Sequence, residues 1–589
     1  MEAMSSSFLS NVFHVSSACH SSHHKSNLIH VFHISSSQTI QEDKPKQEPK
    51  STTATSVSGV PASSKKLPLN PRLPLYKLTF DKITNALTDH QNLRPCIDPK
   101  HVLANNYAPV DELPPTECLT IEGTLPQCLN GAYIRNGPNP QYTPRGPYHL
   151  FDGDGMLHCI RISDECATLC SRYVKTYKYN VEHDAGTPIF PNVFSSFISG
   201  LPTMFARGAV YIARYLSGQY KEMKNGVGLA NTSLSYFGNK LFALGESDLP
   251  YQIRVTATGD VETLGRHDFD GKFSSLSNMT AHPKIDAQTG ETFAFRYSPM
   301  FPFLTYFRFD SSGSKQQDVP ITSMTNPAFI HDFAITEKYA VFVDIQIGMS
   351  TNLVELIAGG KSVVGVDKEK VPRIGVIPRY AIDDSEMRWF NVPGLNIIHA
   401  INAWDEEDSV VLVAPNVLPV EHTLERMDLI HASVEKVTIN LKTGTVTRSL
   451  ISPKNLDFGV INPTFIGRKG RYGYLGIGNP LPKTSGVVKL DWSSGGREVG
   501  CRMFGEGCYG GEPLFVPWTN DQQATEVEVE EDDGYLVMYV HDESSGESRF
   551  LVMDAKSPAL DIVAAVKLPR RVPYGFHGIF VRETDLKKL

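Results

Sequence analysis

Short apolar runs separated by turn residues recur along the chain from about residue 67 onward. Segments such as ETFAFRYS, YAVFVDIQ, SVVLVAPN and GYLVMYVHD alternate with turn clusters such as TATGD, DSSGS and LKTGT. Runs of this length, rich in β-branched and aromatic residues, are typical of antiparallel strands. We therefore predict one all-β domain over 67–589, either a β-propeller or a large sandwich. No strict repeat is visible, so the pattern does not give a number of blades.

Two segments depart from this pattern. Residues 80–91 (FDKITNALTDHQ) are predicted to form an amphipathic helix. Residues 190–217 are apolar, with Gly200 and Pro202 near the middle. This segment either dips into a lipid surface or forms a helical cap packed on the domain, and both interpretations remain open. No apolar run reaches the ~18 residues that a membrane-spanning helix needs.

The N-terminal region has a different composition. Residues 1–41 contain many serines, one acid (Glu2), one lysine (Lys25) and no arginine. Polar, Ser-rich and acid-poor segments are typical of organelle transit peptides, and the lack of arginine favours a plastid over a mitochondrion. The following Lys-, Pro- and Ser-rich stretch predicts a linker. We expect a transit peptide and disordered linker over 1–64, with an untargeted disordered tail as the alternative.

Charge and cysteine content limit the possible partners of the protein and the compartment in which it folds. The net charge is −8 and no basic cluster is present, which argues against a nucleic-acid partner. The nine cysteines are odd in number and contain no C-x-x-C pair. This pattern favours reduced thiols in a reducing compartment.

Four widely separated histidines each lie at the edge of a short apolar run: His282 in NMTAHPK, His331 in FIHDFAI, His399 in IIHAINAW and His577 in YGFHGIF. Taken singly, each is more often a core histidine than a ligand. Together they predict a metal site, and their spacing requires a scaffold that brings remote segments to a common axis. Neutral imidazole suits iron, zinc, copper or nickel. The lack of cysteine argues against structural zinc.

Three carboxylates lie in apolar or Gly-rich surroundings: Glu246 in LFALGESDLPY, Asp457 in KNLDFGVINP and Glu512 in CYGGEPLFVP. A ligating imidazole usually donates its other N–H to a carboxylate, which fixes its orientation. Because an unpaired buried carboxylate is costly, we predict that these three acids orient ligating histidines. Exposed acids at strand ends are the alternative.

Several longer strings resemble the carotenoid cleavage dioxygenase family. From about residue 68 to the C-terminus, in family order, they are NGAYIRNGPNP, YHLFDGDGMLH, ALGESDLPY, FIHDFAIT, IHAINAWDEED, GGEPLFVP and YGFHGIFV. The string LDFGVINPTFIGRKGRYGYL, together with the N-terminal region, is most similar to the plastid type-4 class of plant enzymes.

This resemblance implies a seven-bladed β-propeller with a helical cap over a substrate tunnel. It also implies a non-haem Fe(II) held by His282, His331, His399 and His577. The family orients its histidines with three glutamates, of which two match Glu246 and Glu512. The third aligns with Asp457, one methylene shorter, so we expect a longer or water-mediated bond there.

The implied activity is oxidative cleavage of a conjugated double bond in a carotenoid or apocarotenoid, with both atoms of O2 entering the products. The resemblance favours the 9,10 (9′,10′) bond, giving an ionone-type ketone and an apocarotenal, with 7,8 (7′,8′) as the alternative. Isomerohydrolase chemistry in the same fold is a second interpretation, and a non-catalytic binding propeller is a third. The expected location is a plastid, with peripheral lipid contact through 190–217.

Overall fold

The structure is a computed structural model. It describes residues 93–144, 146–190, 192, 209–210, 212–216, 218, 225–349, 364–424, 426–493, 495–518 and 530–589. Antiparallel strands dominate these ranges, which confirms the all-β prediction. The predicted helix over 80–91, the N-terminal region 1–64 and most of 190–217 lie outside the described residues.

The described helices are short. They include α1 (Pro99–Val102), α2 (Tyr177–Ala185) and α3 (Glu583–Leu586), with 3₁₀ turns at Pro95–Ile97, Asn105–Tyr107, Gln127–Leu129, Val420–His422, Met427–Leu429 and Pro463–Phe465. Helix α2 begins where the Thr176 hydroxyl accepts a hydrogen bond from the Tyr179 N–H, and it ends at Gly186 in the left-handed conformation. Among the described residues, none of the helices has the length and apolar content needed to cross a bilayer.

The N-terminal strands form most of one antiparallel sheet. They are β1 (Leu113–Glu117), β2 (Leu119–Gly123), β3 (Gly131–Pro138), β4 (Gly155–Ser163) and β5 (Cys166–Tyr173). The sheet has the order β1-β5-β4-β3, whereas β2 leaves it for another sheet.

Four four-stranded antiparallel sheets follow along the chain. The first contains β6 (Ser233–Phe237), β7 (Lys240–Leu244), β8 (Tyr251–Val255) and β9 (Val261–Arg266). The second contains β10 (Lys284–Ile285), β11 (Thr292–Tyr297), β12 (Leu304–Phe309) and β13 (Val319–Pro320). The third contains β14 (Phe333–Ile335), β15 (Tyr339–Asp344), β18 (Arg373–Pro378) and β19 (Arg388–Asn391). Between β15 and β18 the chain forms a separate two-stranded ribbon of β16 (Ile347–Met349) and β17 (Val364–Val366). The fourth contains β20 (Asn402–Glu406), β21 (Ser409–Leu418), β22 (His431–Asn440) and β23 (Val446–Ser452).

The C-terminal strands build a ten-stranded sheet. Its strands are β24 (Leu456–Val460), β25 (Tyr472–Gly478), β26 (Thr484–Asp491), β27 (Arg497–Met503), β28 (Cys508–Gly510), β29 (Leu514–Pro517), β30 (Gly534–Asp542), β31 (Glu547–Asp554) and β32 (Ile562–Lys567), joined by β2 at the edge of β32.

Strands from the two ends of the chain pair with each other. The last strand, β33 (Gly578–Arg582), lies antiparallel to β3, with Gly131 opposite Arg582 and Arg135 opposite Gly578. The pairing of β2 with β32 is a second link of the same kind. A succession of meanders joined through both ends is the connectivity expected of a β-propeller.

Aromatic and aliphatic side chains fill the space between neighbouring sheets. Phe295 of β11 contacts Phe333 of β14 and Phe342 of β15, with ring centroids 5.2 Å and 5.8 Å away. All three rings are fully buried. Burial of such a side chain stabilises a fold by ~1.5–3 kcal/mol. This packing holds β11 of the second sheet against β14 and β15 of the third.

Candidate metal centre

The four histidines of the sequence pattern occupy equivalent places in the fold. His282, His331, His399 and His577 each lie one to three residues before a strand at the edge of a sheet, namely β10, β14, β20 and β33. Because these strands come from different sheets, the positions bring together residues that are far apart in the sequence.

All four imidazoles meet at one point. One ring nitrogen from each lies within 4.8 Å of the others, and the four residues are half-buried. The Nε2 atoms of His282 and His331 are 3.0 Å apart. Nitrogens bound at ~2.1 Å from one metal ion are separated by about 3 to 4 Å, so the donor set fits a single ion. A shell of four neutral imidazoles suits a borderline transition metal.

Each of the three carboxylates selected from the sequence contacts one histidine. The Nδ1 of His577 is 2.8 Å from Oε1 of Glu512, and Glu246 contacts Nδ1 of His331. Glu512 also accepts a hydrogen bond from the backbone N–H of Gly578 at 3.0 Å. A carboxylate at Nδ1 leaves Nε2 free to face the common point.

The contact of Asp457 with His399 is direct and not water-mediated. Its Oδ1 lies 3.0 Å from Nδ1 of His399, which is longer than the 2.8 Å between Glu512 and His577, so the expectation of a longer bond is confirmed. The pairing of β24 with β25 is irregular between Asp457 and Val460, next to this contact. Phe458 has the left-handed φ of 54° and donates its N–H to Asp457 at 2.8 Å. Such a conformation is uncommon for a bulky residue.

The pKa shifts of two histidines at the centre have opposite directions. Burial, followed by the other three imidazoles and Lys284, holds the pKa of His282 well below its usual value. Burial also opposes protonation of His399, but the charge and hydrogen bond of Asp457 outweigh it and raise the pKa of His399. Burial would raise the pKa of Asp457, yet His399 lowers it. Asp457 is therefore an ionised acceptor for the N–H of its histidine.

Two residues that support Glu246 were not identified from the sequence. The hydroxyl of Tyr297 donates to Oε2 of Glu246 at 2.5 Å. The side-chain amide of Asn278 donates to the backbone carbonyls of Glu246 and Tyr297, at 3.0 Å and 3.1 Å. These contacts fix the carboxylate that orients His331. Neither residue carries a local signal, since Tyr297 ends an ordinary strand and Asn278 lies in a loop.

A fourth carboxylate, Asp332, was also missed. It directly follows His331, forms an ion pair with Lys284 at 2.7 Å and accepts the backbone N–H of Ala400 at 2.8 Å. The available signal was a charged residue inside the apolar string FIHDFAI. Among the residues that the structure describes, no carboxylate contacts the ring of His282.

Aromatic rings surround the histidines. Phe329 stacks on His331 with ring centroids 6.1 Å apart, and Phe458 lies 5.8 Å from His399. Next to His577, Phe576 contacts Phe151 edge to face at 5.7 Å. Apolar walls around a few convergent polar groups are typical of sites for large apolar molecules.

Comparisons with known proteins agree with this geometry. The family model for retinal pigment epithelial membrane protein matches residues 107–582. A probable carotenoid cleavage dioxygenase 4, chloroplastic, of Arabidopsis thaliana is 62% identical, covering 93% of this chain and 91% of the relative. A zeaxanthin 7,8(7′,8′)-cleavage dioxygenase, chromoplastic, of Crocus sativus is 55% identical over 61% of this chain and 97% of its own length. A carotenoid 9,10(9′,10′)-cleavage dioxygenase 1 of Pisum sativum is 39% identical over 83% of this chain and 91% of the relative.

Solved structures show the same similarity. A mutant of the Synechocystis apocarotenoid oxygenase superposes with a TM-score of 0.66 at 25% identity, covering 83% of this chain and 100% of that one. The cobalt-substituted form of the same oxygenase gives a TM-score of 0.65 at 26% identity, covering 82% and 99%.

Proposed function

The chain belongs to the family of the retinal pigment epithelial membrane protein and the carotenoid cleavage dioxygenases, and from that premise we propose that it oxidatively cleaves a conjugated double bond of a carotenoid or apocarotenoid. The convergence of four imidazoles, three of them oriented by carboxylates, is the observation that carries this proposal. The relatives named above are dioxygenases of carotenoids and support the substrate class.

We further infer that the domain over 67–589 is a propeller of seven blades with a helical cap. Support comes from the sheet order: four separate meanders, a ten-stranded sheet divisible into β24–β27 and β28–β32 with β2, and the sheet of β1, β3, β4, β5 and β33. The similarity to the apocarotenoid oxygenase points the same way. The helical cap is proposed from the resemblance of the sequence to the family.

The metal proposed for the centre is Fe(II), with His282, His331, His399 and His577 as ligands. An all-imidazole set without cysteine suits iron and disfavours structural zinc. When bound, iron of this kind binds and activates O2. Both oxygen atoms end in the two carbonyl products of the broken C=C bond, so the reaction needs no external reductant.

The chain's own residues position the reactants and exclude water. Glu246, Asp457 and Glu512 hold the Nδ1 side of three imidazoles and thereby direct Nε2 to the centre. The rings of Phe329 and Phe458 give the neighbouring space an apolar wall that would contact a polyene and exclude water. No side chain is needed as an acid or base. The main task is to hold one double bond beside the reacting oxygen.

The proposed cleavage position is 9,10 (9′,10′), with 7,8 (7′,8′) as the alternative. The pea relative is named for the first bond and the crocus relative, at higher identity, for the second. The two positions are one double bond apart along the polyene, so a few tunnel side chains decide between them.

Product analysis tests both the activity and the bond. Purified, iron-loaded protein is incubated with β-carotene and, separately, with a C30 apocarotenal under ¹⁸O2, with O2 uptake recorded and products identified by chromatography and mass spectrometry. We expect an ionone-type ketone and an apocarotenal, each carrying label. Products of 7,8 cleavage would replace the proposed bond. Turnover without O2 uptake would indicate isomerohydrolase chemistry, and no turnover of any polyene would indicate a binding propeller.

We also propose a plastid location with peripheral lipid contact. Support comes from the Ser-rich, acid-poor residues 1–41 and from the plastid relatives of Arabidopsis and crocus. The apolar segment 190–217 is the element proposed to contact lipid, because a carotenoid substrate partitions into membranes and an apolar peripheral segment binds at their surface.

Charged substitutions test the lipid contact. Replacing Phe194 and Phe197 together by aspartate is expected to lower partitioning onto liposomes while leaving iron content intact. The matched control is Ile382→Asp, at a site that is 72% exposed in the described part of the chain. Co-sedimentation with liposomes measures the effect. Equal partitioning of the double variant and the unmodified protein would remove this proposal.

A further inference from the structure

Asp332 is a buried carboxylate with three partners from three parts of the chain. It is 6% exposed. Its Oδ1 lies 2.7 Å from the ammonium of Lys284 and accepts the backbone N–H of Phe333 at 2.7 Å. Its Oδ2 accepts the backbone N–H of Ala400 at 2.8 Å. Both carboxylate oxygens are therefore engaged in short hydrogen bonds.

Each partner lies beside a different histidine of the centre. Lys284 follows His282 by two positions, Ala400 directly follows His399, and Asp332 itself follows His331. One carboxylate thus ties together three of the four histidine-bearing segments, which otherwise belong to separate sheets. Hydrogen bonds to an ionised acceptor are stronger than neutral ones, so this connection is stiff.

The ion pair between Asp332 and Lys284 also neutralises a positive charge close to the metal centre. The Lys284 ammonium lies near His282, a proposed ligand of a divalent cation, and a second cation there would repel the ion. Asp332 neutralises that ammonium. His282, unlike the other three histidines, has no carboxylate against its ring among the described residues, and in its own segment the charge of Lys284 is paired by Asp332.

We propose that Asp332 is a positioning residue of the metal centre, which fixes the relative placement of His282, His331 and His399 and neutralises Lys284. This inference rests on the proposed function only in taking the four histidines as metal ligands. It assigns a role to a carboxylate that touches no imidazole.

Equilibrium metal binding, measured by competition for Fe(II) and for Co(II) under anaerobic conditions, tests the proposal without using turnover. Asp332→Asn keeps the size of the side chain but leaves Lys284 unpaired. We expect its metal affinity to fall roughly 10- to 100-fold, the range seen when residues supporting metal ligands are changed. In Asp332→Asn combined with Lys284→Met, the unpaired ammonium is gone, and most of that loss is expected to be recovered.

A buried ion pair elsewhere supplies the control. Lys489 and Asp532 are 2.6 Å apart and both buried, and Asp532 does not belong to any histidine-bearing segment. Asp532→Asn should lower the thermal midpoint of the metal-free protein as Asp332→Asn does, yet leave metal affinity unchanged. Metal affinity of Asp332→Asn equal to that of the control would overturn the proposal. A double variant that binds no better than Asp332→Asn would overturn the charge role.

The two proposals fail in different ways. Unmodified protein that binds Fe(II) tightly but cleaves no polyene would remove the proposed reaction and leave the role of Asp332 intact. Unmodified protein that binds neither metal would remove the ligand assignment, and with it this inference.

Discussion

Replacing His399 by alanine is expected to abolish stoichiometric iron binding and to lower cleavage activity by ~10³-fold or more. A metal ion that activates a reactant contributes several kcal/mol to the transition state, and each ~1.4 kcal/mol is a factor of ten in rate. The variant loses one of the four proposed ligands and also leaves Asp457 without its imidazole partner. Metal analysis of the purified protein and initial-rate measurements on an apocarotenal check the result.

His267→Ala is the matched control. Its ring is half-buried and packs against Phe242 and Phe269, at 5.4 Å and 4.7 Å, outside the four-histidine cluster. It should retain iron and activity. If His399→Ala kept a full complement of iron, the assignment of this histidine as a ligand would be wrong. If it lost iron but kept full activity, the chain would act without the metal, as a binding propeller.

Replacing Glu512 by alanine is expected to weaken iron binding roughly 10- to 100-fold, the usual effect of removing a carboxylate that orients a ligating histidine. Glu512 holds both the ring of His577 and the backbone N–H of Gly578, so its loss frees the side chain and the start of β33 together. Glu512→Gln should give a smaller loss, because an amide oxygen still accepts from Nδ1 but carries no charge. Competition with a chelator of known affinity measures both.

Glu435→Ala is the control for burial. The side chains of Glu435 and Glu512 are both 12% exposed, but Glu435 pairs with Arg448 on the fourth sheet. Loss of the Glu435–Arg448 pair should change thermal stability and not iron affinity. Equal iron affinity in Glu512→Ala and Glu435→Ala would show that Glu512 does not support the centre.

Local patterns in the sequence predicted the strands and selected the four histidines that converge in the structure. The alternation of apolar runs and turns predicts the all-β class, because strand formation depends on short-range propensity and burial. The histidines and the three carboxylates could be selected because a charged or ligating side chain inside an apolar string is costly unless it has a partner. His282 and Glu512 are examples of that signal.

The supporting contacts could not be predicted in the same way. Tyr297 and Asn278 support Glu246 through pairings between separate loops and strands, and nothing in their local strings distinguishes them. The left-handed backbone at Phe458, next to Asp457, was not predictable either, because sequence rules assign that conformation to glycine or asparagine. The number of blades was not predictable from the residues alone, because no sequence repeat marks where one meander ends and the next begins.

The pairing of β33 with β3 has a consequence for biogenesis. His577 directly precedes β33, so this imidazole is translated after every other strand that the structure describes, including its partner strand β3. Domains emerge N-terminal end first, and contacts between distant segments form slowly. Until β33 is made, the nascent chain therefore lacks both the fourth imidazole and the partner of β3, so the complete four-histidine cluster can form only after β33 has been translated.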